Sequence, residues 1–295
     1  MKNISFVIPA YNCVNTLEET VNSIFLDNFE EGDEIIIVDD ASTDETPSLI
    51  KKLIETYKPH IKVLENKENK GCPATRNVGI REAQNPYILS LDSDNVLEKN
   101  SIKILRDKIT ETHSDIVTFG EIHFFNKTKE HTTHAWIFKK GLFTLSDLFA
   151  GNYNPGPVGN YLFTKEGWNR VNGFSELEKG LHEAWIFTFK QLISGSKIYI
   201  CESGFYHHRY GHESLTIREY KRELVEKNIL TQALKENLDI FDLNTQKYIE
   251  ENTPQWIHSL NKKPLKIIGS EYGINGKLKR TWYGIYNSLR KKLKL

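Results

Sequence analysis

Four short apolar runs, separated by stretches with helical spacing, constrain the fold of this chain more than any other feature. The runs are Ile4–Ile8, Glu34–Val38, Ile61–Leu64 and Tyr87–Leu91. Each is almost continuously apolar, as expected of a strand that is covered on both faces, and the stretches between them are long enough for crossover helices. The pattern predicts an α/β fold with a mainly parallel sheet flanked by helices.

Three of these runs are followed by polar residues that can line one crevice. Pro9–Asn12 follows the first run, Asp39 and Asp40 the second, and Asp92–Asp94 the fourth. Because ligands of parallel sheets bind beyond the carboxyl ends of the strands, we expect these residues to lie close together. Each segment also has a simpler interpretation as a turn or a helix cap. Their recurrence after three strands favours a binding site.

The fourth run ends on Asp92 and Asp94, two carboxylates separated by Ser93. In an extended segment the two Asp side chains point the same way, and a divalent cation such as Mg²⁺ or Mn²⁺ would relieve their repulsion. An ordinary acidic turn is the alternative, because so short a motif occurs by chance. The first run is not followed by a GxGxxG turn, and the chain contains no GxxxxGK[ST] loop. A metal-bridged nucleoside diphosphate is the nucleotide interpretation that remains.

Composition narrows the class of protein. Acidic and basic residues number 39 each, so the overall charge gives no reason to expect nucleic-acid binding. Cys13, Cys72 and Cys201 are widely spaced and form no CxxC pair, which favours a reducing compartment. No apolar run is long enough for a signal peptide or a membrane span. We therefore expect a cytoplasmic protein.

The pattern changes after Phe119. The segments that follow are predicted as a hairpin at 121–138, a loop at 151–157, a strand at Val158–Phe163, a helix at His182–Ile193 and a strand at Lys197–Ile200. From Ile217 onward the spacing is helical and charged residues of both signs alternate. We therefore predict one domain at 1–216 and a helical C-terminal extension at 217–295.

The extension ends in a basic amphipathic tail at 277–295, where Lys and Arg residues alternate with aromatic and aliphatic ones and no acid occurs. Such a tail can lie on an anionic membrane surface, each basic residue contributing about 1 kcal/mol. It can equally pack its aromatic residues on the domain as a terminal helix. The first alternative would bring the protein to the inner face of the cell membrane as a peripheral protein.

Four motifs, in the same order and spacing, resemble glycosyltransferase family 2. They are Val7-Ile8-Pro9-Ala10-Tyr11-Asn12, Val38-Asp39-Asp40-Ala41-Ser42-Thr43-Asp44, Asn69-Lys70-Gly71 with Ala74-Thr75-Arg76-Asn77-Val78-Gly79, and Leu91-Asp92-Ser93-Asp94. The resemblance covers residues 1 to about 216 and implies a GT-A fold, a Mn²⁺ or Mg²⁺ ion and inversion at the anomeric carbon. It implies transfer from a nucleoside diphosphate sugar, which we expect to be UDP-linked, to a glycan or lipid-linked glycan acceptor in surface polysaccharide synthesis.

The resemblance also implies roles for individual residues. The positions that resemble the nucleobase contacts are Pro9, Tyr11, Asp39 and Asp40. Arg76 resembles a basic residue near the base and the phosphates. Asp92 resembles a contact to the ribose and the metal, Asp94 resembles the direct metal ligand, and Ser93 lies between them in the same donor-binding motif.

The acceptor side departs from the family pattern. Val171–Glu176 resembles the turn before the acceptor-side helix, and His182–Trp185 resembles the start of that helix, where the family carries a Glu-Asp pair. Ala184 stands where the Asp, often the catalytic base, would be. Glu183 is therefore the candidate base, although it could also be a helix-start carboxylate stabilised by the helix dipole. The alternative bases are Glu178 and His182.

The segment Tyr206–Thr216 resembles the closing part of the family's domain. There, Arg209 is predicted to neutralise phosphate charge and His208 to complete the metal shell, with His207 and His212 as alternatives. Ala184 leaves open a catalytically silent module that binds a nucleotide sugar or a glycan. A nucleotidyltransferase would require a basic triphosphate-binding loop near the first strand, and none is visible.

Overall fold

The computed structural model describes residues 3–144, 160–176, 183–210 and 265–268, together with positions 147, 243, 246 and 247. The strands are β1 (Ile4–Ala10), β2 (Glu34–Asp39), β3 (Ile61–Glu65), β4 (Tyr87–Ser90), β5 (Val96–Leu97), β6 (Ile116–Thr118), β7 (Glu121–Phe125), β8 (Thr132–Ile137), β9 (Gly141–Phe143), β10 (Leu162–Thr164), β11 (Ile198–Ile200), β12 (Phe205–Arg209) and β13 (Leu265–Ile268). The helices are α1 (Leu17–Phe25), α2 (Thr46–Tyr57), α3 (Cys72–Glu82), α4 (Ser101–Thr112), α5 (Lys165–Arg170) and α6 (Glu183–Ile193).

The larger sheet has eight strands in the order β3-β2-β1-β4-β10-β6-β11-β9. The first four run parallel to one another, as the sequence predicts. The strand β10 then lies antiparallel between β4 and β6, and β9 lies antiparallel to β11 at the far edge. The four predicted strands therefore form one parallel block, and the mixed part of the sheet is built from strands that follow residue 115.

The parallel block is buried on both faces, which explains its continuous apolar sequence. Val7, Ile8, Ile36 and Val38 are all fully buried. Helix α3 packs closely on this block at Gly79, where an added Cβ would lie 2.5 Å from the Cγ1 atom of Val7. A glycine at this position lets the helix backbone approach the sheet.

A second sheet has the order β13-β8-β7-β12-β5. The hairpin predicted at 121–138 is formed by the antiparallel pair of β7 and β8. The strand β13 lies within the segment predicted to be helical, and it pairs antiparallel with β8. Its sequence, Leu-Lys-Ile-Ile, is rich in β-branched residues, so local preference and a free strand edge together favour the strand there.

Other predicted elements are found with shifted limits. The strand predicted from Val158 is observed as β10, and the helix predicted at His182–Ile193 is observed from Glu183 onward. The loop at 151–157 and the tail at 277–295 lie outside the described residues. Positions 243, 246 and 247 are helical. Among the described residues, no helix has both the length and the apolarity that crossing a membrane requires.

Candidate donor-binding site

The carboxyl ends of β1, β2 and β4 meet at one edge of the larger sheet. The Asp40 N–H donates to the Ala10 carbonyl oxygen at 2.8 Å, and the Leu91 N–H donates to the Val7 carbonyl oxygen at 3.0 Å. The loops beyond the strands are also joined, because the Asn12 side-chain oxygen accepts from the Thr43 N–H at 2.8 Å. The loops that were expected to line one crevice therefore all begin at the same edge of the larger sheet.

The residues predicted to hold a nucleobase differ in accessibility. Tyr11 is 46% exposed, so its ring is available to a ligand, whereas Pro9 is buried within β1. The buried Asp39 carboxylate accepts from the Ser42 N–H at 3.1 Å. These contacts leave Tyr11 as the accessible side chain of this group.

Asp40 is only 3% exposed and holds a loop. Its carboxylate accepts from the backbone N–H groups of Lys70 and Gly71, each at 2.9 Å, and from the Asn66 side-chain amide at 2.8 Å. The loop that leads into α3 is thereby fixed against the end of β2. Asn66 was not singled out from sequence, because its partner lies 26 residues away and leaves no local signal.

Asp92 is held on both of its carboxylate oxygens. Oδ1 accepts from the Arg76 guanidinium, while Oδ2 accepts from the side-chain amides of Asn95 at 3.1 Å and Asn160 at 3.0 Å. Asn160 also accepts from the Asp92 N–H at 2.8 Å. It therefore fixes both the backbone and the side chain of Asp92. Asn160 was not singled out from sequence, because its partner lies 68 residues away and leaves no local signal.

Arg76 bridges the two sides of the crevice. One guanidinium nitrogen bonds Asp92, and Nη1 donates to Glu183 Oε1 at 2.5 Å. The Arg76 side chain is only 3% exposed, and its guanidinium lies 5.6 Å from the Phe174 ring centroid. Burial acts against the charge of Arg76, but its anionic neighbours, including Asp92 and Glu183, hold its pKa well above the usual value. Arg76 is thus a buried bridge between two carboxylates.

Glu183 begins α6 and is largely buried. The next residue, Ala184, is 4% exposed, and its carbonyl oxygen accepts from the Tyr161 hydroxyl at 3.2 Å and from Thr188 at 2.9 Å. Among the described residues, Glu183 is bonded through Oε1 alone. The two alternative bases, Glu178 and His182, lie outside the described residues.

Arg209 ties the Asp92–Asp94 turn to α1. Its Nε donates to the Asp94 carbonyl oxygen at 3.1 Å, and its Nη2 pairs with Glu19. Its guanidinium lies 4.5 Å from the Phe125 ring centroid, a cation–π arrangement. The Arg209 N–H also donates to the Asn95 side chain at 3.0 Å. The predicted phosphate-binding arginine therefore lies against the turn that carries the paired Asp residues.

The two neighbouring histidines of β12 point to opposite faces of the second sheet, as strand geometry requires. His207 contacts Glu98 at 2.7 Å, and burial lowers the pKa of His207. His208 lies on the same face as Tyr206, whose hydroxyl accepts from Asn160 at 3.3 Å. Of the pair, His208 is therefore on the face that leads to Asp92, and His212 lies outside the described residues.

The donor set fits a cation that arrives together with phosphate oxygens. In the part of the chain that the structure describes, no three His, Cys, Asp or Glu side chains are grouped to hold a metal ion. Asp92 bonds Arg76, Asn95 and Asn160, and both Asp92 and Asp94 are partly exposed. Mg²⁺ in nucleotide sites is commonly held by one or two carboxylates plus phosphates and water. The described residues can therefore supply part of the coordination shell of a cation, and phosphate oxygens and water would have to supply the rest.

Solved structures of similar architecture define the class of fold. Staphylococcus aureus TarS 1–349 in complex with UDP-GlcNAc has a TM-score of 0.65, at 20% identity over 87% of this chain and 79% of that chain. The mannosyltransferase PcManGT from Pyrobaculum calidifontis, in complex with GDP-Man and Mn²⁺, has a TM-score of 0.56, at 17% identity over 87% and 72%. The fold is GT-A, as the motifs implied.

The chain belongs to glycosyl transferase family 2, whose family profile matches residues 5–168. A related Staphylococcus aureus protein, the poly(ribitol-phosphate) β-N-acetylglucosaminyltransferase TarS, is 33% identical over 40% of this chain and 20% of its own length. The corresponding TarP is 30% identical over 50% and 44%. Streptococcus pneumoniae glycosyltransferase GlyA is 31% identical over 43% and 18%. The matches thus span less than half of each of these relatives.

Proposed function

We propose that this protein is an inverting, metal-dependent glycosyltransferase. It moves a sugar from a nucleoside diphosphate sugar to a hydroxyl group of a glycan or lipid-linked glycan. The observation that carries the proposal is the buried Arg76 bridge, which joins Asp92 of the paired-Asp turn to Glu183 at the start of α6. This bridge brings a phosphate-side carboxylate and a candidate base together across one crevice.

The donor we propose is a UDP-sugar. Tyr11 offers an exposed ring beside the buried Asp39, at the edge where the loops beyond β1 and β2 meet. An aromatic face can stack on a nucleobase. UDP-GlcNAc is the first donor to test, because TarS and TarP are named as N-acetylglucosaminyltransferases and TarS has been solved with that compound.

Asp94 is the proposed direct ligand of a Mn²⁺ or Mg²⁺ ion, with Asp92 behind it and His208 on the adjoining face. The cation would neutralise the diphosphate as it leaves. Arg209 is proposed to add positive charge on the same side, since its guanidinium already lies against the Asp94 backbone. Ser93, between the two Asp residues, is partly exposed and belongs to the same proposed donor contact.

The proposed base is Glu183. The acceptor hydroxyl gives its proton to Oε2, the carboxylate oxygen to which no described residue is bonded, and the hydroxyl oxygen bonds to the anomeric carbon on the face opposite the diphosphate. The bond from that carbon to the phosphate oxygen breaks, and the nucleoside diphosphate leaves with the electron pair. Arg76 bonds Oε1 and so orients the carboxylate toward the acceptor side.

Glu183→Gln tests this assignment because Gln retains an oxygen that can accept from Arg76. We expect UDP-GlcNAc binding to persist and the rate of sugar transfer to fall by about 10² to 10⁴. Glu176→Gln is the matched control, because Glu176 is half exposed and contacts Asn77 and Arg81 of α3, the helix that also carries Arg76. Transfer by Glu183→Gln at the wild-type rate would move the base elsewhere.

A second candidate function is a catalytically silent module that binds a nucleotide sugar. It is favoured by the sequence around Glu183, because Ala184 follows Glu183 where the family carries an Asp. Glu183 is also already paired with Arg76. The two functions are separated by incubating the wild-type protein with UDP-GlcNAc and Mn²⁺. A transferase slowly releases UDP even without acceptor, whereas a silent module binds the nucleotide sugar and leaves it intact.

We propose that the acceptor belongs to a surface polysaccharide and that the basic tail at 277–295 meets the inner face of the cell membrane. The support is the composition of the tail, which combines Lys and Arg with aromatic residues. Deleting 277–295 should reduce co-sedimentation with anionic phospholipid vesicles without changing UDP-GlcNAc hydrolysis. Equal co-sedimentation of the full-length and shortened proteins would rule out the membrane role.

A further inference from the structure

Four side chains of the second sheet and its edge form an aromatic wall, defined as Phe124, His134, Trp136 and Tyr210. The Phe124 and His134 rings are stacked, with centroids 4.3 Å apart and planes 5° apart. Trp136 lies 4.7 Å from Phe124, and Tyr210 lies 5.4 Å from His134. Phe124 is buried behind the other three, which are half-buried. The wall is therefore a backed surface rather than a set of isolated rings.

The aromatic wall is continuous with the paired-Asp turn. Tyr206, His208 and Tyr210 share one face, because side chains alternate along β12 and the ladder continues where the Tyr210 N–H donates to Phe125. At the inner end the Tyr206 hydroxyl accepts from Asn160, which also holds Asp92. Farther out, His208 lies 4.9 Å from Phe124 of the wall. From Tyr206 to Tyr210 the strand advances about 13 Å, which leads outward from the turn.

The chemistry of the wall favours a sugar ring as its ligand. The faces of aromatic rings are negative, and the C–H groups on one face of a pyranose carry partial positive charge. The indole N–H of Trp136 and the phenol group of Tyr210 can bond sugar hydroxyl groups. An acyclic polyol phosphate offers no such C–H face to the aromatic rings and would instead require cations for its phosphates.

We propose that the aromatic wall is an acceptor subsite that takes pyranose rings of a glycan, next to the position where the sugar is transferred. The inference rests on the proposed transferase function and specifies its substrate class. The subsite belongs to the second sheet, whereas the proposed nucleobase contacts belong to the loops beyond β1 and β2. A growing glycan could therefore lie along the wall while the donor occupies the other side of the paired-Asp turn.

The test measures binding of the full-length protein, with UDP and Mn²⁺ present, to an array of pyranose oligosaccharides and poly(ribitol phosphate). We expect the wild type to bind pyranose oligosaccharides, Trp136→Ala to weaken that binding about tenfold, and Trp136→Phe to restore most of it. Tyr57→Ala is the matched control. Tyr57 is also half-buried and stacks on Phe25 at 4.0 Å, but it belongs to α2, so its loss should leave glycan binding unchanged.

Hydrolysis of UDP-GlcNAc without acceptor separates a failure of the proposed subsite from a failure of the proposed transferase function. Trp136→Ala should hydrolyse the donor at the wild-type rate and melt as a folded protein. Unchanged glycan binding in Trp136→Ala, binding only to poly(ribitol phosphate), or no glycan binding by the wild type would each overturn the subsite while leaving the transferase proposal standing. A wild-type protein that neither binds nor hydrolyses nucleotide sugars would overturn the transferase proposal itself.

Discussion

Replacing Arg76 by Met should destabilise the protein and disrupt the donor site together. The Arg76 side chain is 3% exposed, Glu183 is 11% exposed and Asp92 is 25% exposed. Removing Arg76 therefore leaves two poorly solvated carboxylates with neither their bridge nor its charge. Breaking a buried ion pair from one side costs about 3 to 5 kcal/mol, and the partial exposure of Asp92 favours the lower figure. At about 3 kcal/mol, the melting temperature should fall on the order of 10 °C.

Arg106→Met is the control, because the chain contains a second buried arginine in a similar role. Arg106 is 2% exposed and bonds both oxygens of the buried Asp33 at 3.1 and 2.7 Å. Asp33 precedes β2 and accepts from the Ile4 N–H, so this pair lies at the amino edge of the sheet. The control variant should lose comparable stability while retaining the wild-type affinity for UDP and Mn²⁺.

The assay combines thermal unfolding with calorimetric titration of UDP in the presence of Mn²⁺, below the melting temperature of each variant. We expect Arg76→Met to weaken UDP binding at least about tenfold, because Asp92 loses its charged partner at Oδ1. Arg76→Lys should recover only part of this, since one ammonium group cannot reproduce the planar fork that reaches two carboxylates. The reasoning is refuted if Arg76→Met loses nucleotide affinity at unchanged stability, because Arg76 would then be a donor ligand and not a bridge.

Three further predictions follow from individual contacts. Calorimetric titration should show that Mn²⁺ alone binds weakly and that Mn²⁺ binds tightly when UDP is present. Asp94→Asn should abolish this cooperativity between Mn²⁺ and UDP. Strong binding of Mn²⁺ to the protein without UDP would contradict the prediction. Because burial lowers the pKa of His207, the unfolded chain binds more protons than the folded one. The contribution of His207 to stability should therefore be complete above about pH 6.5 and be lost on acidification. Denaturant midpoints measured from pH 7 to 5 should depend less on pH in His207→Gln than in the wild type. The hydrogen bond and charge of Glu98 oppose this lowering of the pKa, whereas the nearby His123 and Lys129 add to it. Gly79→Ala should destabilise by about 1 to 3 kcal/mol, although Ala normally favours a helix, because its Cβ would lie 2.5 Å from Val7; an increase in melting temperature would contradict the close packing.

The parallel half of the fold could be predicted because burial on both faces leaves a strong local pattern. The strands β1 and β2 contain seven and six residues, and a helical segment separates them. By contrast, β6 and β9 contain three residues each, which is too short for a periodic signal. The place of β10 between β4 and β6 depends on pairing across distant parts of the chain. That order is decided by tertiary packing and not by local sequence.

The candidate site shows the same division. The paired Asp residues and Asp40 could be singled out because they follow buried strands directly. The residues that hold these carboxylates in place could not be predicted from sequence. Asn160 bonds Asp92 across 68 residues of sequence, and Glu183 bonds Arg76 across 107. The motif resemblance placed Arg76 near the donor, whereas the contacts give it a bridging position between carboxylates. Residue types at strand ends indicate a site, but long-range contacts decide which side chains remain accessible within it.

The Arg76 bridge also bears on the order in which ligands can bind. Asp92 and Glu183 are two poorly solvated carboxylates that share the Arg76 guanidinium, while the Arg209 guanidinium is paired with Glu19. Two carboxylates that share one guanidinium leave an excess of negative charge that repels a diphosphate, and poor solvation strengthens that repulsion. A divalent cation would reverse this balance, and a diphosphate competing for Arg209 would release Glu19. Nucleotide affinity must therefore depend on the cation more steeply than if Arg76 faced the phosphates directly.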